Sequence, residues 1–285
     1  MTSEAPLHER IAEGRRVLVG AGIRADGAML DAEVLARHAL GWDRAALLSR
    51  AREAPPEGFE LRFSALIARR AAREPVAQIV GRREFWGLDF EVTSDVLTPR
   101  PESELIVEEA LDATLGRRPA HIIDVGTGSG CLAIALAVSL PDTRLLGVDI
   151  SCAALAVARR NAALHSVEDR VDFVCSHLLD GVSASADLII ANPPYVPESA
   201  APALQPEVIR YEPEVALFSG ADGLSAMREL FASAARCLAG DGLLVVEFGF
   251  GQEAGVRALA GEYGWQVMRL RADLQGIPRV AVLRR

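Results

Sequence analysis

From His121 to the C-terminus, short apolar runs alternate with stretches of helical period, and this alternation limits the possible folds more than any other feature of the chain. Runs at Ile122–Val125, Leu145–Val148, Val171–Cys175, Leu188–Ala191 and Leu243–Phe248 read as strands. Helical patterns fall at Cys131–Ser139, Ala153–Ala163, Leu224–Leu238 and about Gln252–Glu262, and terminal strands are expected near Trp265–Leu270 and Arg279–Leu283. Strands joined by helices have to cross over, which yields a sheet covered on both faces. The fold class expected is α/β: a doubly wound, mostly parallel, seven-stranded sheet.

Residues 1–74 follow another rule. A 3.6-residue period runs through Leu30, Val34, Leu35, His38 and Ala39, and again through Phe59, Phe63, Leu66 and Ile67, predicting a small bundle of short helices. Pro75 ends it, and the alternation around Phe85-Trp86-Gly87-Leu88-Asp89-Phe90 predicts a β-hairpin. The expected organisation is a helical substrate-recognition domain at 1–74, a hairpin linker at 75–96 and the sheet domain at 97–285. A helix is expected after Pro99-Arg100-Pro101, with Glu102, Glu104, Glu108 and Glu109 at its amino end, where carboxylates suit the dipole.

Charge argues against a nucleic-acid partner. Residues 1–74 carry 12 Arg against 11 acidic residues, but 75–285 carry 18 against 28, so the larger part repels a phosphate backbone. The longest apolar stretch, Cys131–Val138, is far below the roughly 18 residues that cross a bilayer, and no signal pattern opens the chain. A cytoplasmic monomer with no membrane contact is expected. The cysteines (Cys131, Cys152, Cys175 and Cys237) form no C-x-x-C pair, so neither a disulfide framework nor a metal site is expected.

Two motifs carry chemistry. Asp124-Val-Gly126-Thr127-Gly128-Ser129-Gly130 lies between a strand and a helix, where glycines admit positive φ and let a ligand approach the backbone. Asp149 closes the next strand, placed to accept from ribose hydroxyls. The alternative is a tight turn with Asp149 capping the following helix. The spacing is G-x-G-x-G, not the G-x-G-x-x-G of pyrophosphate-binding loops, and this leans away from a dinucleotide.

The second motif, Asn192-Pro193-Pro194-Tyr195, closes the run Asp187–Ala191. Prolines fix φ and remove N–H donors, leaving a rigid exit with free carbonyls. Such a corner suits holding an amide or exocyclic amine, whose lone pair is delocalised and a poor nucleophile. The Asn192 side-chain oxygen and the Pro193 carbonyl can accept both N–H bonds, and the interaction strengthens as positive charge develops on nitrogen. Tyr195 would wall the pocket. A diproline strand terminator with an Asn turn is the plainer alternative.

With Asp124 before the loop, the glycine motif resembles the cofactor cradle of class I S-adenosylmethionine-dependent methyltransferases. Further stretches resemble the release-factor glutamine methyltransferases (PrmC/HemK type): Glu84–Val92, Leu97–Glu102, Asp124–Gly130, Asn192–Val196, Arg210–Pro213, Glu247–Gln252 and Asp273–Arg279. This resemblance implies methylation of the glutamine N5 in the Gly-Gly-Gln motif of class I peptide-chain release factors, with S-adenosyl-L-methionine as cofactor. It places cofactor on Asp124, Gly126, Thr127, Gly128, Ser129, Gly130, Asp149, Leu178 and Asn192, with His177 standing where many relatives have an Asp. It places the glutamine on Asn192, Pro193, Pro194 and Tyr195, with Asn192, Pro193 and Tyr195 catalytic and Thr98–Glu102 closing over the site. Because the Asn-Pro-Pro-Tyr signature also serves adenine N6 and guanine N2, a nucleic-acid amino methyltransferase remains the alternative.

Other features stay open. Arg69, Arg70, Arg73, Arg82 and Arg83 either meet an acidic face of a partner or form a solvated helix edge. Cys131, at a helix amino end, is either an acidified thiol or a small packing residue. Trp42, Trp86 and Trp265 are expected as core or hairpin anchors.

Overall fold

The computed structural model describes residues 5–115, 120–183 and 185–285, which divide into two compact units. The first unit is Met1–Gly81 with Gln205–Tyr211, and the second is Arg82–Leu204 with Glu212–Arg285.

Five helices open the chain: α1 (Leu7–Gly20), α2 (Ala25–Leu40), α3 (Arg44–Ser49), α4 (Phe59–Ala71) and α5 (Val76–Val80). Each of the longer ones buries one stripe, as the 3.6-residue period requires. Leu18, Leu35, Phe59 and Phe63 are nearly inaccessible, and the two phenylalanine rings stack at 5.0 Å. Asp43 caps α3, accepting from the Ala46 N–H at 2.7 Å.

The second unit begins with an antiparallel hairpin of β1 (Arg82–Phe85) and β2 (Leu88–Glu91). A 3-10 turn at Pro101–Ser103 leads into α6 (Glu104–Ala113). There follow β3 (His121–Val125), α7 (Cys131–Ser139), β4 (Arg144–Asp149), α8 (Cys152–Leu164), β5 (Val171–Cys175) and β6 (Ala186–Ala191). The next helix, α9 (Pro206–Tyr211), returns to the first unit. The chain closes with α10 (Ser225–Cys237), β7 (Leu238–Glu247), α11 (Glu253–Glu262), β8 (Gln266–Ala272) and β9 (Pro278–Arg284).

The sheet has the order β5-β4-β3-β6-β7-β9-β8, with β3 to β7 parallel and β9 antiparallel to both neighbours. The doubly wound, mostly parallel seven-stranded sheet expected from the alternation is thus present. Side-chain alternation sends Ile123, Ile189 and Leu244 to a face covered by Phe231 of α10 and Leu259 of α11. Ile122, Ile190 and Val245 go to the other face, under Val107 of α6 and Leu136 of α7. Six consecutive residues of α7, Leu132–Ala137, are buried, which explains why its sequence is apolar all round.

Winding reverses between β3 and β6. The chain steps outward from β3 to β4 to β5, then returns to the other side of β3. In such sheets ligands bind outside the carboxyl ends of the strands at the reversal point. Val125 pairs with Ala191 there, so Gly126 and Asn192 are the first residues beyond two adjacent strand ends.

Two expectations need correction. Glu109 does not serve the dipole of α6; it is buried, and Arg269 Nη2 reaches it at 2.5 Å from β8. Of the clustered arginines, Arg69, Arg82 and Arg83 are exposed, but Arg70 and Arg73 do not lie on a solvated edge. Arg70 is buried between Asp31 and Glu207, at 2.6 and 2.8 Å, and Arg73 also pairs with Glu207 at 2.6 Å. These pairs, the Tyr211 hydroxyl on the Ala72 carbonyl (2.9 Å) and the Gln78 amide on the Tyr211 carbonyl (2.9 Å) hold α9 in the first unit. Helix amphipathicity could not reveal this, because Glu207 lies more than a hundred residues away in sequence.

Candidate active site

The loop after β3 is shaped by missing side chains. Gly126, Gly128 and Gly130 take φ of +74°, +54° and +80°, a region costly for residues with a Cβ. At Gly130 a Cβ would also meet Ile134 and Ala158 at 3.0 and 3.1 Å. The loop is tied down from below and from both sides. Gly126 N and Thr127 N donate to the Val148 carbonyl at 2.8 and 3.0 Å. The Thr127 hydroxyl and the Ala133 N–H both donate to Asp124 Oδ2, at 2.6 and 3.2 Å. Asn161, fully buried in α8, donates to the Ser129 carbonyl at 2.9 Å and bonds both backbone groups of Glu91.

Asp124 therefore lies under the loop, while Asp149 lies beside it. Asp149 Oδ2 accepts from Gly128 N and its Oδ1 from Ser151 N, each at 2.8 Å. A carboxylate has about four acceptor positions, so two backbone bonds leave capacity for a pair of hydroxyls. Burial raises the pKa of both acids, that of Asp124 to about 7. Asp124 Oδ1 is buried without a hydrogen-bond partner among the described residues.

Gly126, Gly128, Asp149, Leu178 and Asn192 line a cavity of about 320 Å³, within the range of small-molecule sites. Leu178 holds a left-handed φ of +45°, a strained conformation for a branched residue and one that clusters at ligand sites. His177 lines the same cavity, its ring nitrogens 3.6 Å from Asp180 and 3.4 Å from Glu229. Burial pushes the Cys131 thiol up to about 12, which favours the packing reading over an acidified nucleophile.

The corner after β6 stands at the edge of this cavity. Asn192 lines both the large cavity and a smaller one of about 50 Å³ shared with Thr98, Arg100 and Ser103. Pro194 lines the large cavity, and Pro193 is buried. Asn192 Nδ2 donates to Ser103 Oγ at 2.9 Å, and the Tyr195 hydroxyl donates to Glu247 Oε1 at 3.2 Å. Burial and the Glu247 charge hold the Tyr195 pKa well above the usual phenol range. Gln252 braces the corner, donating to the Tyr195 carbonyl at 2.9 Å while accepting from Gly249 N at 2.8 Å. Of the Thr98–Glu102 stretch, Arg100 is committed to buried Glu212 at 2.5 Å.

Comparison with known proteins places this geometry in a family. Residues 9–81 match the model of the PrmC N-terminal domain, and residues 102–215 that of the methyltransferase small domain. A release factor glutamine methyltransferase of Burkholderia pseudomallei is 43% identical over 88% of this chain and 90% of its own length. One of Nitratidesulfovibrio vulgaris is 38% identical over 100% of this chain and 97% of its own. The chain belongs to the release factor glutamine methyltransferase family. A methyltransferase structure from Pyrococcus furiosus, 15% identical with a TM-score of 0.50 over 77% of this chain and 96% of that one, shares the fold.

Sequence spacing did not announce every residue of this candidate site. Asn161, Ser103, Glu247 and Gln252 act through partners distant in sequence, and only Glu247 and Gln252 fall in stretches that carried the resemblance. The expectation of no disulfide is corrected. Cys152 and Cys175 are bonded: β4 and β5 register Asp149 against Cys175, and α8 begins at Cys152, shortly after Asp149. Among the described residues no three His, Cys, Asp or Glu side chains gather as a metal site, and no helix is long and apolar enough to cross a membrane.

Proposed function

We propose that this protein methylates the side-chain amide nitrogen of the glutamine in the Gly-Gly-Gln motif of class I release factors, using S-adenosyl-L-methionine. The observation that carries this reading is the seating of Asn192 one residue past β6, directly beside the glycine loop and on the wall of both cavities. Membership in the release factor glutamine methyltransferase family supports the choice of substrate.

The residues present fit the cofactor. Gly126 and Gly128 leave the backbone bare for the amino-acid portion, Asp149 has acceptor capacity for the ribose, and Leu178 offers an apolar edge to the base. Thr127, Ser129, Gly130 and Asp124 shape that cradle from behind. When bound, the cofactor supplies an electrophilic methyl on a sulfonium.

Asn192 Oδ1 and the Pro193 carbonyl would accept the two N–H bonds of the glutamine amide, turning its lone pair toward the methyl. These acceptors bind more strongly as the nitrogen becomes positive, so the gain is concentrated in the transition state. Pro194 and Tyr195 exclude water and hold the corner rigid. No general base is required, since the amide proton becomes acidic once the methyl has moved; most of the barrier reduction comes from alignment. Incubation of the purified protein with isotope-labelled S-adenosylmethionine and release factor, followed by mass spectrometry, should place one methyl on the Gly-Gly-Gln glutamine. Label appearing only in added RNA or DNA would overturn the reading.

A further inference from the structure

A primary amide has nearly the same shape either way round, so only its hydrogen bonds decide which end faces a ligand. For Asn192 the two ends have opposite consequences. The oxygen accepts from a substrate N–H, whereas the NH2 would oppose donor to donor. Something in the fold has to choose between them.

Behind the corner a chain of hydrogen bonds ends on a buried carboxylate. Asn192 Nδ2 donates to Ser103 Oγ at 2.9 Å, and Ser103 Oγ donates to Glu247 Oε2 at 2.7 Å. The other oxygen of Glu247 accepts from the Tyr195 hydroxyl at 3.2 Å. Ser103 is 3% exposed and Glu247 1%, so water cannot substitute freely for either partner. An ionised carboxylate only accepts, and a hydroxyl has one proton. With that proton committed to Glu247, Ser103 shows Asn192 nothing but lone pairs. Asn192 then has to turn its NH2 toward Ser103 and its Oδ1 away.

We propose that Glu247 and Ser103 are positioning residues that set the polarity of the Asn192 amide, so that its oxygen meets the substrate amide. The proposal rests on the reading of Asn192 as the acceptor for the glutamine. Glu247 sits at the end of β7 and Ser103 at the end of the 3-10 turn, so the relay runs from the sheet to the corner through a side chain from a third segment. Protonation of Glu247 would release the Ser103 proton from its obligation and let the amide turn. Burial holds the Glu247 pKa up at about 7. Among the groups facing it, Glu102 of the 3-10 turn raises it, and Arg279 of β9 and the hydroxyls of Ser103 and Tyr195 lower it.

The test is kcat against pH for wild type, S103A, S103T and E247Q, with cofactor affinity by calorimetry and folding by thermal unfolding. Wild-type kcat should rise with pH through about 7 as Glu247 ionises. S103A should lose about tenfold or more in kcat at high pH and lose the pH limb although Glu247 is intact, with cofactor affinity within about threefold. S103T should restore both. E247Q should flatten the limb, because its amide does not titrate and can donate as well as accept. A folded S103A with wild-type kcat, or one that keeps the limb, overturns the proposal. Isotope-edited NMR of the Asn192 side-chain amide separates this from the function itself. Should wild type fail to methylate release factor, the functional reading falls, yet an amide resonance that follows Glu247 ionisation in wild type and not in S103A still supports the relay. A resonance indifferent to both sinks it.

Discussion

The loop after β3 and the corner after β6 stand side by side on adjacent strand ends, and they solve opposite problems. The loop is made by taking away side chains: three glycines at positive φ bare the backbone. The corner is made by taking away donors: two prolines leave carbonyls with no N–H of their own to compete. The supports differ likewise. Under the loop, Asp124 collects a hydroxyl and a backbone N–H, whereas behind the corner Glu247 collects two hydroxyls. Both acids are buried and both are shifted up to about 7. On the proposed function the contrast becomes a division of labour in which the cradle would set affinity for the cofactor and the corner the rate of transfer.

The sharpest way to break that division is to remove the acceptor. Asn192→Ala should lower kcat by about a thousandfold or more while cofactor affinity changes by less than about tenfold, measured by labelled methyl transfer and by calorimetry. Equal losses in both would mean that corner and cradle are one site without separate tasks. Asp149→Ala should show the mirror image. It removes the partner of Gly128 N and, on the proposed function, the acceptor for the ribose, so cofactor Kd should rise by about ten- to a hundredfold, with kcat at saturation reduced far less.

How much of this could be read in advance depended on distance along the chain. The strands were legible because buried parallel strands are near-continuous apolar runs, as at Ile122–Val125 and Leu188–Ala191. Both motifs were legible because glycine and proline declare backbone geometry locally. Asn161 was not, since it joins Glu91 to Ser129 only after α8 has packed against the hairpin and the loop. Ser103 and Glu247, 144 residues apart, carry no local signal of their bond. The Cys152–Cys175 pairing is hidden for the same reason, being a product of strand register. Asp124 was visible as part of the motif, but only the fold shows it beneath the loop and not on the cavity wall.

A milder variant sharpens the comparison from the corner's side. Tyr195→Phe keeps the ring and deletes the hydroxyl, leaving Glu247 Oε1 without its donor. A stability loss of about 1–3 kcal/mol in chemical denaturation and a several-fold fall in kcat are expected, with cofactor affinity unchanged. If cofactor affinity alone fell, Tyr195 would belong functionally to the cradle.

The smallest effect concerns the acid under the loop. Folding lifts Asp124 from an ordinary carboxylate value to about 7, mainly by burial, with the nearby Asp149 charge adding to it. Between the unfolded and folded values the native state binds more protons than the unfolded one, so this residue stabilises the fold in acid. That contribution is complete below about 4 and is lost as pH rises through about 7. Asp124→Asn removes the titration, and its side-chain oxygen can still accept from Thr127 and Ala133. Stability of the variant should therefore decline less than that of wild type between pH 5 and 8, as followed by denaturant midpoints across that window. An unchanged decline would mean that Asp124 is charged throughout, held so by a donor to its Oδ1, which has no hydrogen-bond partner among the described residues.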